Sequence, residues 1–198
     1  MGRKLDLEEK IVTAAEKLFA KRGFHATGMR QIARTAGVSI GAIYHYFKGK
    51  DDILLAIVRR EIGYRRRFLE SLRREGLSVP EQIRRIVEMH FARLRESQNT
   101  VRLLHREWRS PSARLWQRLP SLYEEIADYL ADLIDEGIAA GDIVPCHSIV
   151  AAYSIIGMVE AVTQRALEGD EKAAELVRHG AEELTRLLSR WLTKREGG

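Results

Sequence analysis

Apolar residues return at intervals of three and four along most of the chain, and alternating β-branched runs are scarce. That period predicts a series of amphipathic helices. Ile11, Ala14, Ala15, Leu18 and Phe19 mark the first, with Asp6 as its expected cap, Glu8 and Glu9 in the positive first turn, and Gly23 as a left-handed stop after Lys21 and Arg22. Thr27 is expected to cap a second helix over residues 29–36. Gly37-Val38-Ser39 reads as a turn, and Ser39 as the cap of a short third helix over residues 40–46. From Lys50 a long helix runs through Ile53, Leu54, Ile57, Val58, Ile62, Leu69 and Leu72, with Asp51 and Asp52 at its start and Gly76 closing it.

Ser78-Val79-Pro80-Glu81 predicts a capping box with proline in the first turn. The helix it opens carries Ile83, Ile86, Val87, Phe91 and Leu94, with His90 on the same stripe. Val101, Leu104, His105 and Trp108 mark a short helix ended by Ser110-Pro111. A long one follows through Leu119, Leu122, Tyr123, Ile126, Leu130, Leu133, Ile134 and Ile138 to Gly141-Asp142, and Pro120 either begins or kinks it. Ile149, Tyr153, Ile156, Val159 and Ala166 lie on a largely apolar helix broken at Gly169-Asp170. The last helix carries Val177, Ala181, Leu184, Leu188 and Trp191, whose alternating spacing of four and three is that of a narrow packing seam. The pattern predicts an all-α chain of about nine helices.

Composition agrees with a globular protein: of 198 residues, 45% are hydrophobic and 31% charged, enough to bury a core. The longest largely apolar stretch, residues 149–159, is about half the ~20 residues a spanning helix needs. The charged start has no apolar signal core, and the single cysteine, Cys146, has no internal partner. A cytoplasmic protein that makes no use of a membrane is expected. Charge changes the picture more. Residues 1–50 hold ten Lys/Arg against four Asp/Glu, a net of +6, whereas the whole chain carries only +5. A basic module ahead of a nearly neutral body points to a polyanion partner for the first part alone.

The same fifty residues supply the steric logic of a helix-turn-helix. Ala33 is small where the next helix crosses, Gly37 supplies the positive φ of a three-residue turn, and Ile32, Ala36, Val38 and Ile43 face inward. Ile40, Gly41, Ala42, Tyr44 and His45 are left on the outer face of the third helix, small near its start so that backbone can approach base edges.

The run Thr27-Gly28-Met29-Arg30-Gln31-Ile32-Ala33, then Ala36-Gly37-Val38-Ser39-Ile40-Gly41-Ala42-Ile43-Tyr44-His45-Tyr46-Phe47-Lys48-Gly49-Lys50, resembles the DNA-binding domain of the TetR family of transcriptional regulators. The Tyr-x-Tyr-Phe-x-x-Lys ending is part of that likeness. It implies a helix-turn-helix domain over residues 5–65 (motif 28–47) and an effector-binding and dimerisation domain over residues 66–198. It also implies roles. Thr27 and neighbouring amides would hold a phosphate at a helix N-terminus. Arg30, Ser39, Gly41 and Ala42 would lie over the major groove, and Tyr44, His45 and Tyr46 would reach phosphates or base edges. Lys50 would bind backbone phosphate. Ile40 departs from the polar residue frequent there, so its contact would be apolar, to a thymine methyl. Tyr46 and Phe47 remain open to a core role, and Arg3 and Lys4 to either a DNA-touching arm or solvent.

For the second domain the resemblance implies a homodimer through the last two helices, at Tyr153, Ile156, Val177, Leu184, Leu188 and Trp191, which reads a palindromic operator in double-stranded DNA. The alternative is that both stripes face one intrachain core. It also implies a small apolar effector in a pocket among the middle helices, for which His90, Leu94, Leu104, His105, Trp108, Trp116, Leu119, Tyr123 and Ile126 are candidates; each alone also reads as core. Glu107-Trp108-Arg109-Ser110, with residues 135–143 downstream, is similar to regulators that sense fatty acyl-CoA, and Arg102, Arg106 and Arg109 suit a CoA phosphate or plain surface. No cofactor is expected. No His/Cys metal spacing, nucleotide-binding glycine loop or nucleophile elbow occurs in the sequence. A repressor released from its operator by an effector is therefore the expected function. A constitutive DNA-binding scaffold is the first alternative, and an enzyme with a DNA-binding appendage the second.

Overall fold

The computed structural model describes residues 2–98, 100–103 and 122–193, with side chains described from residue 6 and, after the second interval, from residue 124. Eight α-helices lie among them, and no strand: α1 (Gly2–Arg22), α2 (Met29–Ala36), α3 (Ile40–Tyr46), α4 (Lys50–Arg74), α5 (Val79–Glu96), α6 (Leu122–Ala140), α7 (Ser148–Ala166) and α8 (Glu171–Leu192). Residues 101–103 are helical too. The chain forms two compact units.

The first unit contains α1 to α3, α4 as far as Arg66, and residues 100–103. Its core gathers Ile11, Phe19, Ile32, Ile43, Phe47, Ile53 and Ile57, joined by Leu103 from much later in the sequence. The turn between α2 and α3 has the expected cause. Gly37 sits at φ 68°, its N–H and that of Val38 close the end of α2, and the Ser39 hydroxyl accepts from the Ala42 N–H at 3.1 Å.

Three helix starts differ from expectation. Asp6 lies inside α1, where it pairs with Lys10 at 2.9 Å one turn on, so it stabilises the helix as an i, i+4 pair and not as a cap. Gly28, not Thr27, is the cap position of α2, and the Gln31 side chain accepts from the Gly28 N–H at 3.0 Å. Ser78 occupies the cap position of α5 without a side-chain bond. The Glu81 that would complete that box is taken by the Arg84 guanidinium, Nε to Oε2 at 2.7 Å.

The second unit contains the end of α4 with α5, α6, α7 and α8. α8 packs against both α5 and α7, and α6 packs against α7 and α5. Tyr129 on α6 donates to the Leu69 carbonyl at 3.3 Å, and Arg73 lies 5.0 Å from the Tyr129 ring. At the start of α8 the Asp170 carboxylate accepts from the Ala173 N–H at 2.8 Å and receives both Arg165 nitrogens, at 2.9 and 2.7 Å. Those bonds hold Asp170 down to a pKa of about 2, the Arg165 guanidinium contributing most.

Candidate functional site

The first unit presents a face made by α2 and α3. Arg30 is exposed on α2. On α3, Ile40 is 38% exposed and Tyr44 56%, with Gly41 and His45 exposed beside them and Ala42 partly so. Ile43, on the opposite side, is fully buried and fixes which way the helix faces. Tyr46 is partly buried against the core, and Phe47 is buried in it. Ser39 is exposed, though its hydroxyl is occupied by the cap.

Two residues expected at phosphates are turned inward. Thr27 is 1% exposed, and its hydroxyl donates to the Gly23 carbonyl at 2.8 Å, a bond that ties α1's end to the start of α2. The Lys50 ammonium donates to the carbonyls of Phe24 at 2.9 Å and His25 at 3.1 Å and lies 4.9 Å from the Phe24 ring centre. A charged donor anchors the loop between α1 and α2 this way, so Lys50 holds the head together from within.

A polar cluster that sequence reasoning missed ties α1, α4 and the segment after α5 together. Arg60 donates to Glu9 at 2.6 Å, to Thr13 at 3.3 Å and to Glu16, and Thr100 also donates to Glu16. Burial works against the Arg60 charge, yet the hydrogen bonds and charges of Glu9 and Glu16 outweigh it and raise its pKa. The 9-13-16 spacing on α1 was the available signal: a polar stripe that calls for a cation opposite.

In the second unit, His90 on α5 and Thr163 on α7 meet, Nε2 to Oγ1 at 2.8 Å, with Thr163 fully buried. Phe91 lies against the His90 ring, Leu94 is fully buried, and Ile126 is partly buried. Leu104, His105, Trp108, Trp116 and Leu119 lie outside the described residues, as does the side chain of Tyr123. Arg106, Arg109, Pro120 and the Glu107-to-Ser110 stretch fall there too.

The seam expected between two copies is divided. Leu184 and Leu188 are buried within the unit, because α8 turns that stripe toward its own neighbours. Tyr153 and Trp191 are exposed, Ile156 and Val177 partly so. Val150 and Leu187, which the sequence pattern did not single out, are exposed on the same two helices. Among the described residues no group of three or more His, Cys, Asp and Glu is placed to hold a metal. None of the described helices is long and apolar enough to cross a membrane.

Known proteins agree with this arrangement. Residues 11–57 match the family model described as bacterial regulatory proteins, tetR family, and residues 76–188 match that of the tetracyclin repressor-like C-terminal domain. A fatty acid metabolism regulator protein of Bacillus subtilis (strain 168) is 27% identical over 164 residues, which are 82% of this chain and 84% of that protein. The transcriptional regulator FadR from Bacillus subtilis, solved in complex with stearoyl-CoA, superposes with a TM-score of 0.81 at 26% identity over 91% of this chain and 97% of its own. The fatty acid degradation regulator FadR from Bacillus halodurans gives a TM-score of 0.82 at 24% identity over 92% and 94%, which shows the shared fold. With one family model on the helix-turn-helix and another on more than half of the chain, the protein belongs to the TetR family and is a helix-turn-helix transcriptional regulator.

Proposed function

We propose that the protein is a cytoplasmic, homodimeric repressor that binds a palindromic operator through α2 and α3 and is released by a fatty acyl-CoA. The observation that carries the DNA-binding part is Gly41. Among the described residues, a Cβ at this position would meet within 4 Å only the Ser39 hydroxyl oxygen, at 3.9 Å. Glycine inside a helix costs about 1 kcal/mol relative to alanine. Packing among the described residues gives no reason for it, whereas a duplex groove pressed against the backbone does.

The two-domain division, residues 5–65 and 66–198, follows the same reading, with residues 100–103 added to the first unit by their packing. The exposed apolar residues Val150, Tyr153, Leu187 and Trp191 support pairing of α7 and α8 with a second copy, where Ile156 and Val177 would lie at the margin. Two recognition helices set about 34–36 Å apart then meet successive major grooves. Arg30 and His45 supply cationic or hydrogen-bonding contacts at the edge. The acyl-CoA class rests on the likeness to FadR, whose solved complex holds stearoyl-CoA. An effector of this kind would act by binding one of two conformations more tightly, which shifts the population away from the DNA-competent one.

One observation favours a second reading, a constitutive DNA binder: the polar atom of His90 is already satisfied by Thr163, and Leu94 is sealed in the core. A single titration separates the two. The full chain is first bound to duplexes enriched from a random library, and stearoyl-CoA is then added, with free CoA and stearate as controls. Release by the thioester alone supports the proposal. Unchanged binding supports the constitutive reading, and failure to retain any duplex at low salt overturns both.

A further inference from the structure

The chemistry on α3 narrows what its half-site must present. The helix reads Ile40-Gly41-Ala42-Ile43-Tyr44-His45-Tyr46 and contains no Arg, Lys, Asn, Gln, Asp or Glu. Paired hydrogen bonds to guanine are made by Arg or Lys, and those to adenine by Asn or Gln, so α3 can form neither. The Ser39 hydroxyl, at its start, is held by the Ala42 N–H.

Besides the exposed His45 and the Tyr44 hydroxyl, what α3 offers outward is apolar. Ile40 and Tyr44 stand four residues apart, neighbours on one helix face, and both are exposed. The core beneath is filled by Ile43 and Phe47, and Ile40 is not among the residues packed against it. Ile40, a large β-branched side chain 38% exposed beside the bare Gly41, keeps an apolar edge available to an outside partner. In a major groove the apolar group within reach is the thymine 5-methyl.

We propose that α3 reads its half-site mainly through thymine methyl groups, with Ile40 as the specificity-determining residue and Gly41 letting the backbone come close enough for that contact. This rests on the DNA-binding reading above. Arg30 of α2 and the rest of the basic head then supply affinity from the phosphates, which carries no sequence information.

Deoxyuridine tests it atom by atom, since it differs from thymidine only by that methyl. Half-sites are enriched from a random duplex library with the full chain, and each thymine is replaced in turn. At one or two positions per half-site the affinity should fall about fourfold for each methyl lost, the worth of one buried methyl, with an unchanged salt slope. Ile40→Ala should bind thymine and uracil equally at the same position, and Ile40→Val should keep part of the discrimination. Measuring all three at low salt keeps weak variants in range, and their unfolding midpoints should match because Ile40 lies outside the core. Enriched sites indifferent to every thymine-to-uracil change would overturn the inference, as would a uracil penalty that survives in Ile40→Ala. Failure to enrich any sequence is a different outcome: it overturns the DNA-binding reading itself, and this inference with it.

Discussion

Gly41 in the first unit and Gly180 in the second are both glycines inside helices, and each leaves its helix bare for a different neighbour. A Cβ at position 41 would meet only Ser39 Oγ at 3.9 Å, whereas at position 180 it would lie 2.5 Å from Cε1 and 2.8 Å from Cζ of Phe91. Gly137 repeats the second case, with Ile143 Cδ1 at 2.9 Å and Val79 Cβ at 3.0 Å. At Gly180 and Gly137 the missing side chain lets parts of one chain close on each other, while Gly157 of α7, like Gly41, has open space around it. In the first unit no described atom of the chain takes up the space. Gly180 and Gly137 are bare where the chain packs, and Gly41 is bare where no described part of it does.

The contrast is broken most sharply at position 41. Gly41→Leu should remove sequence-specific binding and leave only the non-specific level, about a thousandfold weaker or more. Its unfolding midpoint should stay or rise, because leucine is the better helix former. Lost binding together with a lowered midpoint would make Gly41 a packing glycine after all. At position 180 the same kind of change should act on stability. Gly180→Ala drives a methyl into the Phe91 ring and should cost about 1–3 kcal/mol in urea unfolding. Phe91→Leu in the same chain should recover part of that loss, a coupling that a double-mutant cycle reads. Purely additive effects would mean the two residues do not press on each other.

Lys50→Ala sharpens the comparison within the first unit. It removes two charge-assisted hydrogen bonds to the Phe24 and His25 carbonyls and should lower stability by about 1–3 kcal/mol. Weaker DNA binding with unchanged unfolding would instead return Lys50 to a phosphate contact. The smallest expected effect is at Asp170. Its carboxyl is held at about 2, below the ordinary carboxylate value near 4, so its contribution is complete above about pH 4 and fades as pH falls toward 2. Asp170→Asn should flatten the acid limb of stability in that window and leave the neutral range nearly level. An unaltered limb would show that the Arg165 pairing does not persist in solution.

The first unit was the more legible in sequence. The Gly37 turn, the Ser39 cap and the inward Ile43 follow from backbone geometry over a few residues, and such local rules can be read from the chain directly. Thr27 and Lys50 make bonds within the chain that the local sequence does not announce, for a matching reason. Their partners lie elsewhere: the Leu18 and Gly23 carbonyls for Thr27, and the loop 25 and 26 residues back for Lys50. A hydroxyl or an ammonium near a helix start looks the same in sequence whether it is aimed at a phosphate or at a carbonyl of its own chain. The Arg60, Glu16 and Thr100 cluster was hidden likewise, since it joins positions 44 and 84 residues apart.

The sequence by itself determined an all-helical chain, the helix-turn-helix and the outward face of α3, because helical period, a left-handed glycine and a cap are properties of neighbouring residues. Only the tertiary structure decided which stripe of α8 is covered. Leu184 and Leu188 lie one turn apart, and so do Leu187 and Trp191; the seam spacing groups Trp191 with the first pair and passes over Leu187, and it does not say which pair meets α5 and α7. The buried pair is the one those helices cover, and the other is left on the surface. Burial depends on what packs opposite a face, and that is a property of the assembled helices.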